Sequence, residues 1–270
     1  MASPSSDDES DHPTSGQQFG AALVAGLSQD NIFYLAYVCI QVLGICMITL
    51  CSVWTHHHLS GYSLATPEQV FNYHPLLMTI GMIVLNGNGI LIYRISRWLR
   101  FQRQKLIHFS IQLSALTVSA VGLYAVFHYH NVRQIPNMYS LHSWLGITAI
   151  AGFTVSLLTA FLAFLYPGFH PVYRRLILPF HIFNGTANIV LSASVAITGL
   201  TEKALFSLQT PGAKYSDLPA PAMLINFMAI SIAVFTVLVV WLVTKPEFRR
   251  RYIPSVNAPQ YKLRREQTIE

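Results

Sequence analysis

The chain has 270 residues, 53% of them hydrophobic and only 10% charged, with a formal net charge of +6. A water-soluble domain carries about 25% charged residues, so this composition excludes an ordinary soluble protein and points to a chain embedded in lipid. In that setting the positive balance reads as membrane topology and not as a surface for nucleic acid.

Residues 1–20 are polar and include Asp7, Asp8, Glu9 and Asp11. They lack the basic start and apolar middle of a secretory signal. Residues 1–28 are expected to form a disordered cytoplasmic tail. A membrane-spanning helix needs roughly 20 mostly apolar residues, and six segments qualify: 32–54, 74–94, 107–128, 142–165, 177–199 and 223–244. The first contains Cys39, Cys46 and Cys51, which read as small hydrophobes in a helix and not as a disulfide framework. His56, His57 and His58 follow it, a run expected in a solvated loop with at most weak metal affinity. The second span opens with FNYHPLLM, and RISRWLRFQRQK separates it from the third, which opens with KLIHFS. The fourth opens with SLHSWLG and the fifth with PFHIFNG. Asn184-Gly185-Thr186 fits a glycosylation acceptor but lies inside the fifth span, which rules that use out. The expected architecture is an all-α membrane protein with six transmembrane helices in one domain, 29–248, followed by a basic tail, 249–270. The apolar runs are too long, and alternate too little, for a β-barrel.

Lysine and arginine fix the orientation. One side holds Arg94, Arg97, Arg100, Arg103, Lys105, Arg174 and Arg175, then Lys245, Arg249, Arg250, Arg251, Lys262, Arg264 and Arg265. The other holds only Arg133, Lys203 and Lys214. The positive-inside rule then puts both termini and the 94–105 loop in the cytoplasm.

Histidine is costly in a membrane helix and marks a functional site by default. Here His74, His108, His142 and His181 each open one of four consecutive spans. Consecutive spans run in opposite directions, so their starts alternate between the two faces. His74 and His142 lie toward the non-cytoplasmic face, and His108 and His181 toward the cytoplasmic face. A central four-helix bundle thus presents two histidine pairs, one at each level. Facing imidazoles in a helical bundle suit the axial positions of haem iron. Zinc would need three or four ligands at one centre, and a proton relay would need carboxylates at mid-depth, which the spans lack. Small residues near these positions (Gly81, Gly87, Gly89, Gly146, Gly152, Gly185, Ala187) are expected to let helices or a flat macrocycle approach closely.

FNYHPLLM, ILIYRISR, NMYSLHSWLG and ITGLTEK, with histidines correctly spaced at 74, 108 and 181, resemble the cytochrome b561 family across about 70–200. The resemblance implies a protein with two haem b groups, often a homodimer, that oxidises cytoplasmic ascorbate. It would reduce monodehydroascorbate or a ferric chelate on the lumenal or extracellular side, as a ferrireductase does. The family's ligand pairs carry over as His74 with His142 and His108 with His181. Arg94, Lys105 and Arg174 are expected at a cationic ascorbate site beside the inner pair. Phe101 stands near a position where the family has a lysine, with Arg100 or Arg103 as substitute cations. His130, Asn137 and Tyr139 match positions lining the outer substrate pocket, with Phe127 nearby. The resemblance implies residence in an endolysosomal, secretory-vesicle or plasma membrane. Two other readings are a transporter with a midplane site and a quinone-linked di-haem subunit. The first requires paired Gly/Pro interruptions that the spans lack. The second is disfavoured by the polar substrate residues at both faces.

Overall fold

The protein is described here by a computed structural model covering residues 28–249; nearly all of both expected tails (1–27 and 250–270) lies outside the described residues. Six helices are long and apolar enough to cross a membrane: α1 Gln29–His58, α2 Pro67–Ile95, α3 Phe101–Val132, α4 Leu141–Leu165, α5 Pro171–Ser207 and α6 Ala220–Thr244. Among the described residues there is no strand.

All six expected spans are present, and each helix runs further than its apolar segment. Hydropathy marks where hydrocarbon ends, whereas a helix stops only where its backbone is broken or capped. The largest difference is in α5, expected over 177–199 but continuous from Pro171 to Ser207. It therefore carries Arg174, Arg175, Glu202 and Lys203 on helical backbone. His56, His57 and His58 likewise form the exposed last turn of α1 and not a loop.

Two antiparallel hairpins, α2/α3 and α4/α5, form the central bundle, and α1 packs along α6. The main apolar core lies where α1 and α6 meet α2 and α5, around Phe33, Ile40, Met47, Phe235 and Val239. A smaller cluster of Met82, Ala115, Ala149, Phe153 and Val195 joins the two central hairpins. Contacts between those hairpins are far sparser than contacts within each one.

Local chemistry sets the entry to α2. Thr66 caps it and Pro67 occupies its first turn, where a missing N–H costs nothing. Asn72 is 2% exposed, and its amide donates to the carbonyls of Leu59 (2.6 Å) and Gly61 (2.7 Å), which ties the α1–α2 loop to the helix. Further along, Thr79–Leu85 is a π-helical stretch. Gly81 lies within it, so close to α3 that a Cβ there would meet the Ala115 carbonyl at 2.8 Å.

Asn72→Ala removes two buried hydrogen bonds and leaves two carbonyls unpaired. Thermal unfolding in detergent is expected to show a destabilisation of about 2–4 kcal/mol; unchanged unfolding would show that the loop is held by other contacts.

Candidate functional site

The four helix histidines meet in two pairs. The His74 and His142 rings have centroids 6.1 Å apart and planes at 88°. His108 and His181 are also 6.1 Å apart, with planes at 81°. Each pair joins one ring from the α2/α3 hairpin to one from α4/α5.

The second nitrogen of each ring is held within its own hairpin. His74 on α2 donates from Nδ1 to the Gly122 carbonyl on α3 (2.9 Å), and His108 on α3 donates from Nδ1 to the Gly89 carbonyl on α2 (2.7 Å). His142 on α4 donates to the Val195 carbonyl on α5 (2.9 Å), and His181 Nδ1 lies 3.4 Å from the Ser156 hydroxyl on α4. Hydrogen bonding at Nδ1 fixes the tautomer and orients the ring so that Nε2 is the free ligand atom.

This arrangement fits a bis-imidazole iron. Two metal–nitrogen bonds of about 2 Å, plus about 1.1 Å from each ring nitrogen to its centre, separate the centroids by about 6.2 Å. Among the described residues no group of three or more His, Cys, Asp or Glu side chains is placed to hold a metal ion. Among those residues His56, His57 and His58 are not gathered with other ligands.

The fourth-span motif is explained by its start. Ser140 caps α4 and forms a reciprocal capping box with Ser143, which puts His142 in the first turn. Trp144 Nε1 donates to the Met138 carbonyl (2.9 Å) and pins the preceding loop. The Ser140 hydroxyl donates to Glu202 at 3.1 Å, joining the start of α4 to the far end of α5. Gly199 on α5 lies against His142, and a Cβ there would come within 2.6 Å of the ring's Cε1.

A cavity of about 290 Å³ surrounds the His74/His142 pair. His130, Asn137, Tyr139 and Phe127 all line it, together with Gly146, Gly199 and Lys203. His130 stacks on Tyr139 at 6.3 Å, and the Asn137 amide donates to Asn131 (2.8 Å). Phe71 bridges His74 (6.0 Å) and Tyr129 (5.0 Å), and Tyr129 lies 5.9 Å from His130. Burial and then the nearby Glu202 carboxylate raise the Tyr139 phenol above its ordinary range, so it stays protonated near neutral pH.

At the other level, Lys105 donates to the Phe164 carbonyl (3.3 Å) and feels the positive charge of Arg174. Arg174 has a buried Nε with no partner. Tyr93 lies 5.3 Å from His108, and Phe164 lies 5.7 Å from His181. Arg94 is engaged elsewhere. It is 9% exposed, and its Nη groups donate to the Lys245 carbonyl (3.2 Å) and the Val243 carbonyl at the end of α6.

Close approach is confirmed at Gly81, Gly87 and Gly89, where a Cβ would lie under 3.0 Å from a neighbour. Gly146 and Gly152 have ordinary clearance, and Gly185 faces open space. Sequence reasoning passed over Gly122, Gly199, Phe71, Tyr129 and Lys203 as site residues. ITGLTEK contained a signal, since Gly199 and Lys203 are four apart and share a helix face, but the apolar run ended at residue 199.

Gly199→Ala drives a methyl group into His142, and Gly89→Ala drives one into Gln112 at 2.8 Å beside the carbonyl that orients His108. Each variant is expected to bind less haem than the parent, because each disturbs one histidine pair. Pyridine haemochrome assay per chain checks this, and full haem in both variants would contradict it.

A family profile for eukaryotic cytochrome b561 matches residues 73–207, the segment that contains all four histidines. The chain is 36% identical over 211 residues to the plasma membrane ascorbate-dependent reductase CYBRD1 of Xenopus laevis, covering 77% of this chain and 74% of the relative. It is 36% identical over 220 residues to the lysosomal membrane ascorbate-dependent ferrireductase CYB561A3 of Rattus norvegicus, covering 81% and 86%. To the transmembrane ascorbate-dependent reductase CYB561 of Homo sapiens it is 35% identical over 218 residues, covering 81% and 84%. With paired histidines on four consecutive membrane helices and this extent of likeness, the chain belongs to the cytochrome b561 family.

Proposed function

We propose that the protein is an ascorbate-dependent transmembrane oxidoreductase that passes electrons from cytoplasmic ascorbate to monodehydroascorbate or a ferric chelate on the lumenal or extracellular side. The observation that carries this reading is the pair of imidazole clamps, one at each level of the same membrane bundle. The relatives' names, ascorbate-dependent reductases and ferrireductases, support the donor. In this reading His74 and His142 hold one haem b, and His108 and His181 hold a second. Bound there, each haem supplies one-electron Fe(III)/Fe(II) chemistry. The chain's own work is to hold four imidazoles by their Nδ1 atoms, keep Nε2 free and exclude water between the levels.

The distribution of Lys and Arg supports a cytoplasmic location for the His108/His181 end and both termini. At that end Lys105 and Arg174 form the clamp for the ascorbate anion. They are two cations close together, and neither makes an ion pair among the described residues. Arg94 acts as a positioning residue that ties α2 to α6. At the other end His130, Asn137 and Tyr139 line the acceptor mouth, where Tyr139 offers a protonated hydroxyl. Assembly as a homodimer belongs to this reading. So does charge movement, because an electron crosses with no carboxylate at mid-depth to move a counter-charge. Each electron then couples to the potential by about 2.3 kcal/mol per 100 mV.

Lys105→Met is expected to raise the KM for ascorbate about tenfold with kcat nearly unchanged, the cost of one charge-assisted contact. Steady-state kinetics check this. The reading as a whole is tested in proteoliposomes loaded with ascorbate, with ferric citrate and an impermeant ferrous chelator outside. Ferrous iron should accumulate outside together with a membrane potential. Reduction only when ascorbate and acceptor share a compartment would overturn it.

A further inference from the structure

Beside the histidine cavity, at the same end, is a second and more polar pocket of about 210 Å³. Its lining includes His58 from the last turn of α1, Glu68 and Phe71 from α2, Tyr129 from α3 and Lys203 from α5. Lys203 is half-buried, and its ammonium sits 4.7 Å above the Phe71 ring. The only acid in the lining, Glu68, is already committed to Arg133, whose Nε and Nη2 lie 2.6 Å and 2.5 Å from one carboxylate oxygen. Lys203, His58 and the Tyr129 hydroxyl make no hydrogen bond within the described residues. Three unpaired donors, one of them a full cation, thus converge on one small pocket. The Lys203 ammonium feels the Glu68 carboxylate but makes no ion pair with it among the described residues, and a bound anion relieves a partly buried cation left in that state.

We propose that this pocket binds a small carboxylate anion, such as the free arm of a ferric hydroxycarboxylate chelate, with the Lys203 ammonium as its counter-charge. The assignment of the anion as part of a substrate rests on the electron-transfer reading above; the binding itself does not. Phe71 is the shared wall. It carries Lys203 on one side and lies 6.0 Å from His74, so a chelate docked here is one aromatic ring from a histidine of the upper pair. The reaction that follows is a one-electron reduction, Fe(III) to Fe(II), with the electron supplied through the His74/His142 level and no bond made or broken. The pocket is distinct from the mouth formed by His130, Asn137 and Tyr139, which do not line it. Both share Lys203.

The test uses the full chain with its haem, as parent, Lys203→Met and Lys203→Arg. Citrate binding is measured by isothermal titration calorimetry, with inorganic phosphate as the arm representing a lipid headgroup. Oxidation of the ascorbate-reduced protein is followed by stopped flow with anionic ferric citrate and with cationic hexaammineruthenium(III). Lys203→Met is expected to weaken citrate binding about tenfold and to raise the ferric citrate concentration for half-maximal rate by a similar factor. Lys203→Arg should retain both, and the rate with cationic ruthenium should not fall in Lys203→Met, because removing a positive charge lowers the repulsion of a cationic oxidant. Equal citrate affinity in parent and Lys203→Met, or phosphate binding more tightly than citrate, overturns the assignment. Equal slowing of both acceptors would show a structural role for Lys203 and also overturns it. If neither acceptor oxidises the parent, the electron-transfer reading fails while the citrate titration still decides the pocket.

Discussion

Each of the four imidazoles is held at Nδ1 by the helix that lies antiparallel to its own, and much of the bundle follows from that contact. Within α2/α3, His74 reaches across to Gly122 and His108 reaches back to Gly89. Within α4/α5, His142 reaches Val195 and His181 reaches Ser156. Each hairpin is locked to itself at both ends and presents one Nε2 at each level. A backbone carbonyl inside a helix already accepts one hydrogen bond and uses its second lone pair here. That works only where the ring can come close, and at 89, 122 and 199 the residue beside the contact is glycine.

The same lock explains the uneven core. The two central hairpins touch each other sparsely because their facing surfaces are spent on the imidazole pairs and the cavity around one of them. The apolar packing that holds the fold together moves to α1 and α6, which press against α2 and α5. Between the two levels, some buried polar side chains bond to one another or to the backbone, while Gln112 Oε1 and Ser119 Oγ have no partner among the described residues. Gln112 donates to Asn86 (3.3 Å), and Asn188 donates to the Ala149 carbonyl (2.8 Å). Helix–helix association in lipid relies on such contacts and on small residues, since lipid tails are as apolar as leucine.

Much of this was legible in the amino-acid sequence because it depends on period and direction alone. Six long apolar runs fixed the helix count, and alternating helix direction paired His74 with His142 and His108 with His181 before any coordinates. What escaped was what depends on distance between helices. Gly122 and Gly199 look like ordinary membrane glycines until their backbones are seen against an imidazole. Lys203 looked like an outer charge because hydropathy ends with the hydrocarbon, whereas α5 continues to Ser207. The hydrogen bonds of Arg94 to the end of α6 were not legible either, since one-dimensional charge patterns do not reveal that this end lies within reach of its guanidinium. His56, His57 and His58 form helix for the same reason that α5 is long: polar residues do not stop a helix.

The central claim is that four histidines hold two redox groups. The most direct measurement is the visible spectrum of purified protein before and after ascorbate, with haem quantified per chain. Two haem b per chain, reduced by ascorbate alone, is the predicted result. A folded, colourless protein, or one that binds a single haem indifferent to ascorbate, would contradict the account.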